Sequence, residues 1–161
     1  MMTASQLPEE SVWDYPRPAV CEPFNGHCQV VHQGQVIAAT RQAYRALETS
    51  HPPTYYFPPA AVDQSLLSRG SQQSYCEWKG PAIYWGIRMN NEILPNAAWS
   101  YPAPTSGFAL IKDYLAFYPS RFDQCLVNGI AVIAQAGDFY GGWITPNLKG
   151  PFKGAPGSIG W

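Results

Sequence analysis

Cys125-Leu126-Val127-Asn128-Gly129-Ile130-Ala131-Val132-Ile133 reads as two apolar, β-branched runs folded back on each other. Asn-Gly is the preferred pair for a type I′ turn, because both residues tolerate positive φ and the twist of the turn matches the strands it joins. Two more pairs of runs flank turn residues of the same kind. Cys28 to Gln33 and Gln35 to Thr40 meet around His32-Gln33-Gly34, and Ala82 to Met89 meets Glu92-Ile93-Leu94 across Asn90-Asn91. Tyr114 to Tyr118 reads either as a fourth paired region or as a short helix stopped by Pro119. Helical signals are few. Arg41 to Leu47 has a favourable composition but is too short to stand without packing. Pro59 to Leu67 is the best helical stretch, with proline tolerated in its first turn. The sixteen prolines are expected between strands, since proline cannot donate to a sheet ladder. The expectation is an all-β fold of small antiparallel sheets with one or two short helical turns.

Composition narrows the function. A chain of 161 residues is one domain by length, and it can bury roughly two-thirds of its unfolded surface without a metal or disulfide. Charged residues make up only 13% of it, against about 25% in a typical soluble domain. Ten Tyr, six Trp and seven Phe must therefore share the surface with uncharged polar residues. Such a surface is adhesive and leaves room for a homodimer. The net charge is −1 and the ten Lys and Arg are scattered, which argues against nucleic acid, whose phosphates need clustered cations. Met1 to Glu10 lacks a basic region followed by an apolar run, and the longest apolar stretches fall far short of a membrane span. A soluble, cytoplasmic protein is expected. The four cysteines stand at 21, 28, 76 and 125, and zinc knuckles use closer pairs than these. Neither a metal nor a cofactor is expected.

The ends of the chain lack periodicity but carry large aromatics. Gly141-Gly142-Trp143-Ile144-Thr145-Pro146 opens a glycine- and proline-rich stretch that also holds Phe152 and Trp161, while Trp13 and Tyr15 mark the N-terminal end. Both ends read as arms folded onto the core, the C-terminal one as a clasp with Lys149 and Lys153 as weak anion contacts.

Three groups of residues carry chemistry. In Glu48-Thr49-Ser50-His51-Pro52-Pro53-Thr54-Tyr55-Tyr56 the two prolines stiffen the backbone and hold His51 out of the α region. His51 is then either a general base or ligand contact oriented by Glu48, or a turn residue bonded to a backbone carbonyl. Cys76-Glu77-Trp78-Lys79-Gly80 joins a thiol, an indole and an amine. Strand alternation would put Cys76 and Trp78 in the core and Lys79 toward a cleft, and a neighbouring lysine can activate a thiol. Trp99-Ser100-Tyr101-Pro102, Tyr84-Trp85 and Tyr118-Pro119-Ser120-Arg121 with Asp123 supply aromatic walls with polar tips, or else plain core.

Taken in order, the His51 and Cys76 segments, Ala97-Ala98-Trp99-Ser100-Tyr101-Pro102 and Ala116-Phe117-Tyr118-Pro119 resemble the DUF427 family. The resemblance implies a single family domain over residues 1–161, with a core at about 28–127 and ordered extensions at 1–27 and 128–161. It also implies an all-β fold of small coiled sheets related to the Mss4-like, or β-tent, group. The family is sometimes labelled nucleotidyltransferase-like. Here, however, no two acidic residues are separated by a single residue, as two-metal phosphoryl chemistry would want.

The leading expectation is a cleft binding a small polar or aromatic ligand. His51, Lys79 and Cys76 are the candidate reactive groups, and Glu48, Tyr55, Trp78, Trp99, Tyr101 and Arg121 the candidate ligand contacts. Two alternatives stand beside it. One is an enzyme using His51 as acid/base on a small-molecule or nucleotide-like substrate, and the other is a protein-interaction module.

Overall fold

The computed structural model describes residues 7–76, 79–136, 140–155 and 157–158. Fifteen strands are described: β1 (Glu10–Ser11), β2 (Val20–Pro23), β3 (Cys28–His32), β4 (Gln35–Thr40), β5 (Tyr44–Leu47), β6 (Thr54–Tyr56), β7 (Leu67–Cys76), β8 (Gly80–Met89), β9 (Glu92–Ser100), β10 (Leu115–Phe117), β11 (Gln124–Val127), β12 (Ile130–Ala131), β13 (Ile133–Ala134), β14 (Trp143–Ile144) and β15 (Leu148–Lys149). They form sheets ordered β10-β9-β8-β7, β12-β11-β3-β4 and β2-β5-β6, with two small pairs, β13-β14 and β1-β15. Only β1-β15 is parallel. Helical structure among the described residues is limited to short 3-10 turns, so the fold is all-β. No described helix is long and apolar enough to cross a membrane.

The three anticipated hairpins have the backbone their turn residues favour. Gln33 and Gly34 have φ of 51° and 74°, Asn90 and Asn91 48° and 65°, Asn128 and Gly129 50° and 79°. Two positive φ values in succession define the type I′ turn.

Three expectations need correction. The Arg41–Leu47 stretch contributes strand β5 rather than a helix. It lies between β2 and β6, so ladder bonds on both sides outweigh local preference. The Pro59–Leu67 helix is two 3-10 turns, Pro59–Ala61 and Gln64–Leu66. Between them Val62 is buried and bridges Ala38, and Asp63 caps the second turn through Ser65 N. Prolines also enter central strands: Pro81 is the second residue of β8, and Pro95 lies inside β9. Pro95 falls where the β8–β9 register shifts, next to Asn96 at φ 49°, and a bulge of this kind frees the ladder from needing its N–H. Tyr114–Tyr118 resolves as strand β10.

Alternation along β6 and β10 divides the interior in two. Tyr55, Phe57, Leu115 and Phe117 join an apolar cluster with Val30, Ile37, Ile87 and Trp143. Tyr56 and Ala116 point the other way, into a tyrosine-rich cluster with Tyr84, Trp99, Tyr101 and Tyr118. Trp143 anchors the C-terminal arm: it is fully buried, its indole N–H donates to Phe117 O at 3.0 Å, and its backbone N–H donates to Pro53 O at 2.8 Å. Burying an indole removes roughly 200 Å² from water, worth about 5 kcal/mol as an upper bound. The two arms also hold each other, through the β1-β15 pairing, the Glu9–Lys149 ion pair at 2.5 Å and the Trp13 Nε1–H to Pro151 O bond at 2.8 Å.

Candidate functional site

The tyrosine-rich half of the interior opens into a cavity of about 210 Å³. Its walls come from segments far apart in the chain: Glu48, His51, Thr54 and Tyr56 from one, Ser74, Cys76 and Lys79 from a second, Tyr84, Trp99, Tyr101 and Tyr118 from the sheet beside them and its strand ends, and Tyr140 and Gly141 from the C-terminal arm.

The Glu48–His51 turn is fastened from both ends of the chain. Glu48 O accepts the His51 N–H at 3.0 Å, and Ser50 sits at φ 71°, in the left-handed region. Ser50 N donates to Val12 O at 3.0 Å, Lys153 N donates to Ser50 O at 2.7 Å, and Thr49 Oγ1 donates to Tyr15 O at 2.6 Å. The buried Pro52 and Pro53 follow and prevent the turn from relaxing into a helix. His51 Nε2 stands 3.8 Å from Glu48 Oε2, and its ring meets Tyr140 edge-on with centroids 5.3 Å apart. Burial pushes the imidazole pKa down. Glu48 opposes that shift, and Lys79, Lys153 and Arg17 reinforce it. His51 is therefore neutral at pH 7.

Cys76 closes β7 and pairs with Gly80, the first residue of β8. Cys76 and Lys79 line the same cavity, rather than the opposite faces that strand alternation would give them. Gly80 has φ 101° and lies under Ala103 O, where a Cβ would come within 3.0 Å, so glycine is required there. Thr105 N donates to Lys79 O at 3.1 Å, and the Lys79 ammonium lies 5.6 Å from the centroid of Phe108. Burial alone would lower the Lys79 pKa, but Tyr56, Cys76, Glu48 and Cys21 around it more than offset this and raise it. Lys79 is half-buried and charged.

Phenols make up much of the remaining wall. Ser74 Oγ and Tyr84 OH share a hydrogen bond of 2.8 Å. Thr54 Oγ1 donates to Tyr56 OH at 3.4 Å, and the Tyr56 and Tyr101 rings lie with centroids 6.3 Å apart. Burial raises the Tyr101 and Tyr118 pKa values, so both hydroxyls keep their protons and can donate. Trp99 is packed on Tyr118 with ring centroids 4.6 Å apart and crosses Tyr56 edge-on at 6.3 Å. Its cross-strand partners are Tyr84 and the small Ala116.

Six of the residues singled out from the sequence line this one cavity: Glu48, His51, Cys76, Lys79, Trp99 and Tyr101. Two do not. Tyr55 faces away, against Phe24 and Trp143, because alternation in β6 turns Thr54 and Tyr56 to the cavity instead. Arg121 is exposed at the end of the 3-10 turn Pro119–Arg121, while Asp123 turns to the β3–β4 hairpin and accepts the Gln33 N–H at 2.8 Å. Trp78 and Trp161 lie outside the described residues. Lys149 and Lys153 are used to hold the arms, Lys149 on Glu9 and Lys153 Nζ on Ser158 O at 2.7 Å.

The C-terminal arm, read from the sequence as a clasp, also contributes to the cavity wall, though none of its residues was among the candidate site residues. Gln135, Tyr140 and Gly141 complete the wall. A Cβ at Gly141 would come within 2.2 Å of Trp99, and one at Gly142 within 2.6 Å of Pro52. The glycine pair lets the arm lie flat on the site, and that pair was the available signal. Among the described residues, no three His, Cys, Asp or Glu side chains come together as a metal site.

A search of curated proteins finds no match to this chain. Residues 20–128 match the family model described as a domain of unknown function, DUF427. The match covers more than half of the chain, takes in the turn at Glu48–His51 and the walls from Cys76 to Tyr118, and places the protein in the DUF427 family.

Proposed function

We propose that the cavity binds a small, ring-sized polar ligand. The observation that carries this reading is the convergence of Lys79, His51, Glu48 and several phenol hydroxyls on one space walled by Trp99. Ligand sites commonly join a mostly apolar wall to a few placed polar groups. Size limits the ligand. A buried apolar cavity of about 150 Å³ holds benzene, so 210 Å³ admits a ring with one or two substituents and not a whole nucleotide. A thermal-shift screen of ring-sized metabolites and nucleotides tests the reading. Ring-sized compounds should stabilise the wild-type protein and lose that effect in His51→Ala or Lys79→Ala. A screen without any such hit would overturn it.

A second reading is acid/base chemistry at the same site, supported by an imidazole held neutral 3.8 Å from a carboxylate. A neutral histidine can accept a proton, and Glu48 would stabilise the imidazolium that results. Once a ligand is known, its turnover should fall as His51 becomes protonated at low pH, and a rate independent of His51 would remove this reading.

A further inference from the structure

We propose, building on the ligand-site reading above, that the cavity takes a ring monocarboxylate whose charged end pairs with the Lys79 ammonium. The starting observation is an unbalanced charge. Among the described residues no carboxylate lies within ion-pair distance of Lys79. Glu48 turns to His51 at 3.8 Å, Glu22 and Glu10 grip Arg45 at 2.6 and 3.0 Å, Glu9 holds Lys149, and Asp123 faces His32 at 3.6 Å. What Lys79 does meet is the face of Phe108. Folded proteins normally pair buried charges, and here the groups nearest the ammonium are phenols and thiols, with no carboxylate at ion-pair distance among the described residues. A carboxylate entering the cavity would supply the missing partner.

The rest of the wall fits the same ligand. Tyr101 lines the cavity and keeps its proton, so its hydroxyl can donate to the second carboxylate oxygen. Trp99 and Tyr56 line the same cavity, and its volume suits one ring bearing one carboxylate. A phosphate fits less well. Phosphate sites draw on arginine forks or on backbone N–H groups at a helix start, and among the described lining residues there is no arginine. A dianion would also outnumber the single ammonium, with the Glu48 carboxylate in the same wall.

The test is calorimetric titration of the full chain with benzoate, benzamide and phenyl phosphate. Wild type should bind benzoate about tenfold more tightly than benzamide, and phenyl phosphate no more tightly than benzoate. Lys79→Met and Lys79→Gln should each erase the preference for the acid over the amide, while Lys112→Met, at an exposed lysine, should leave it intact. Equal binding of acid and amide in wild type, a preference that survives both Lys79 variants, or tighter binding of the phosphate would each overturn the monocarboxylate assignment and leave a ring site standing. Failure of every ring compound to bind would overturn the ring site as well.

Discussion

Two cations lie beneath the surface on opposite faces of the β2-β5-β6 sheet, and the protein treats them differently. Register explains the division. Glu22, Arg45 and Tyr55 are neighbours across the three strands and share one face, while Cys21, Ala46 and Thr54 form the next row and face the other way. On the first face Arg45 donates from Nη1 to Glu10 at 3.0 Å and from Nη2 to Glu22 at 2.6 Å, with its guanidinium 5.4 Å from the Phe24 ring centroid. Glu10 also accepts the Tyr15 hydroxyl at 2.6 Å, so the cluster ties β1 to the sheet. On the second face Lys79 has an aromatic ring and phenols around it but no carboxylate of its own among the described residues.

Cavity size does not separate the two. The space beside Arg45 is the larger, about 300 Å³ against 210 Å³. Its polar lining, however, is largely committed within the protein: Asn128 Oδ1 accepts the His27 N–H at 2.8 Å, and Asn147 Nδ2 donates to Pro8 O at 2.7 Å. On the proposed reading, the Arg45 charge serves the fold and the Lys79 charge serves the ligand. A cation placed to stabilise brings its anions with it.

The largest expected effect lies on the Arg45 side. Arg45→Met leaves Glu10 and Glu22 without their shared cation, and removing one member of a buried ionic group costs about 3 kcal/mol or more. The lower figure applies here because the Glu22 side chain is 44% exposed. Urea unfolding measures this, and near-wild-type stability would break the contrast.

Acid should affect the two faces in separate windows. Burial holds the folded His51 pKa below its unfolded value of about 6.5. Its contribution to stability is therefore present above that pH and lost as pH falls through the interval down to the folded value. Burial tends to raise the Glu10 pKa, but bonds from Arg45 and Tyr15 outweigh it and leave the value lowered. Its contribution holds above about 4.3 and fades below. Thermal melts across pH should show two steps, the upper one absent in His51→Gln. An upper step that persists in that variant would assign it to another group.

The smallest effect is expected at Lys79. Among the described residues Lys79 has no ion-pair partner, so Lys79→Met strands no carboxylate and should unfold within about 1 kcal/mol of wild type. A loss as large as that of Arg45→Met would mean that Lys79 is also structural.

Much of the fold was legible because its turns are chemically explicit. Asn128-Gly129 and Asn90-Asn91 announce positive φ, and the strands beside them follow. β5 was not legible, since its strand character depends on β2 and β6, two partners reached only after folding. In the cavity, His51, Lys79 and Trp99 stood out because their surroundings constrain them locally. The choice between Tyr55 and Tyr56 depended on which face of β6 meets which half of the interior, and two adjacent tyrosines carry no sign of that parity. Arg121 was misleading because a charge beside aromatics looks alike on a wall and on a surface turn. Tyr140 and Gln135 reach the cavity only through the arm's path, which Gly141 and Gly142 permit.

The most direct measurement is amide and indole shift mapping of the ¹⁵N-labelled protein during a benzoate titration. Saturable shifts should gather at His51, Lys79, Tyr140 and the Trp99 indole N–H, with Arg45, Asn128 and Asn147 unmoved. Shifts gathered instead around Arg45, or scattered over exposed residues, would contradict the proposal that the Lys79 cavity is a ligand site.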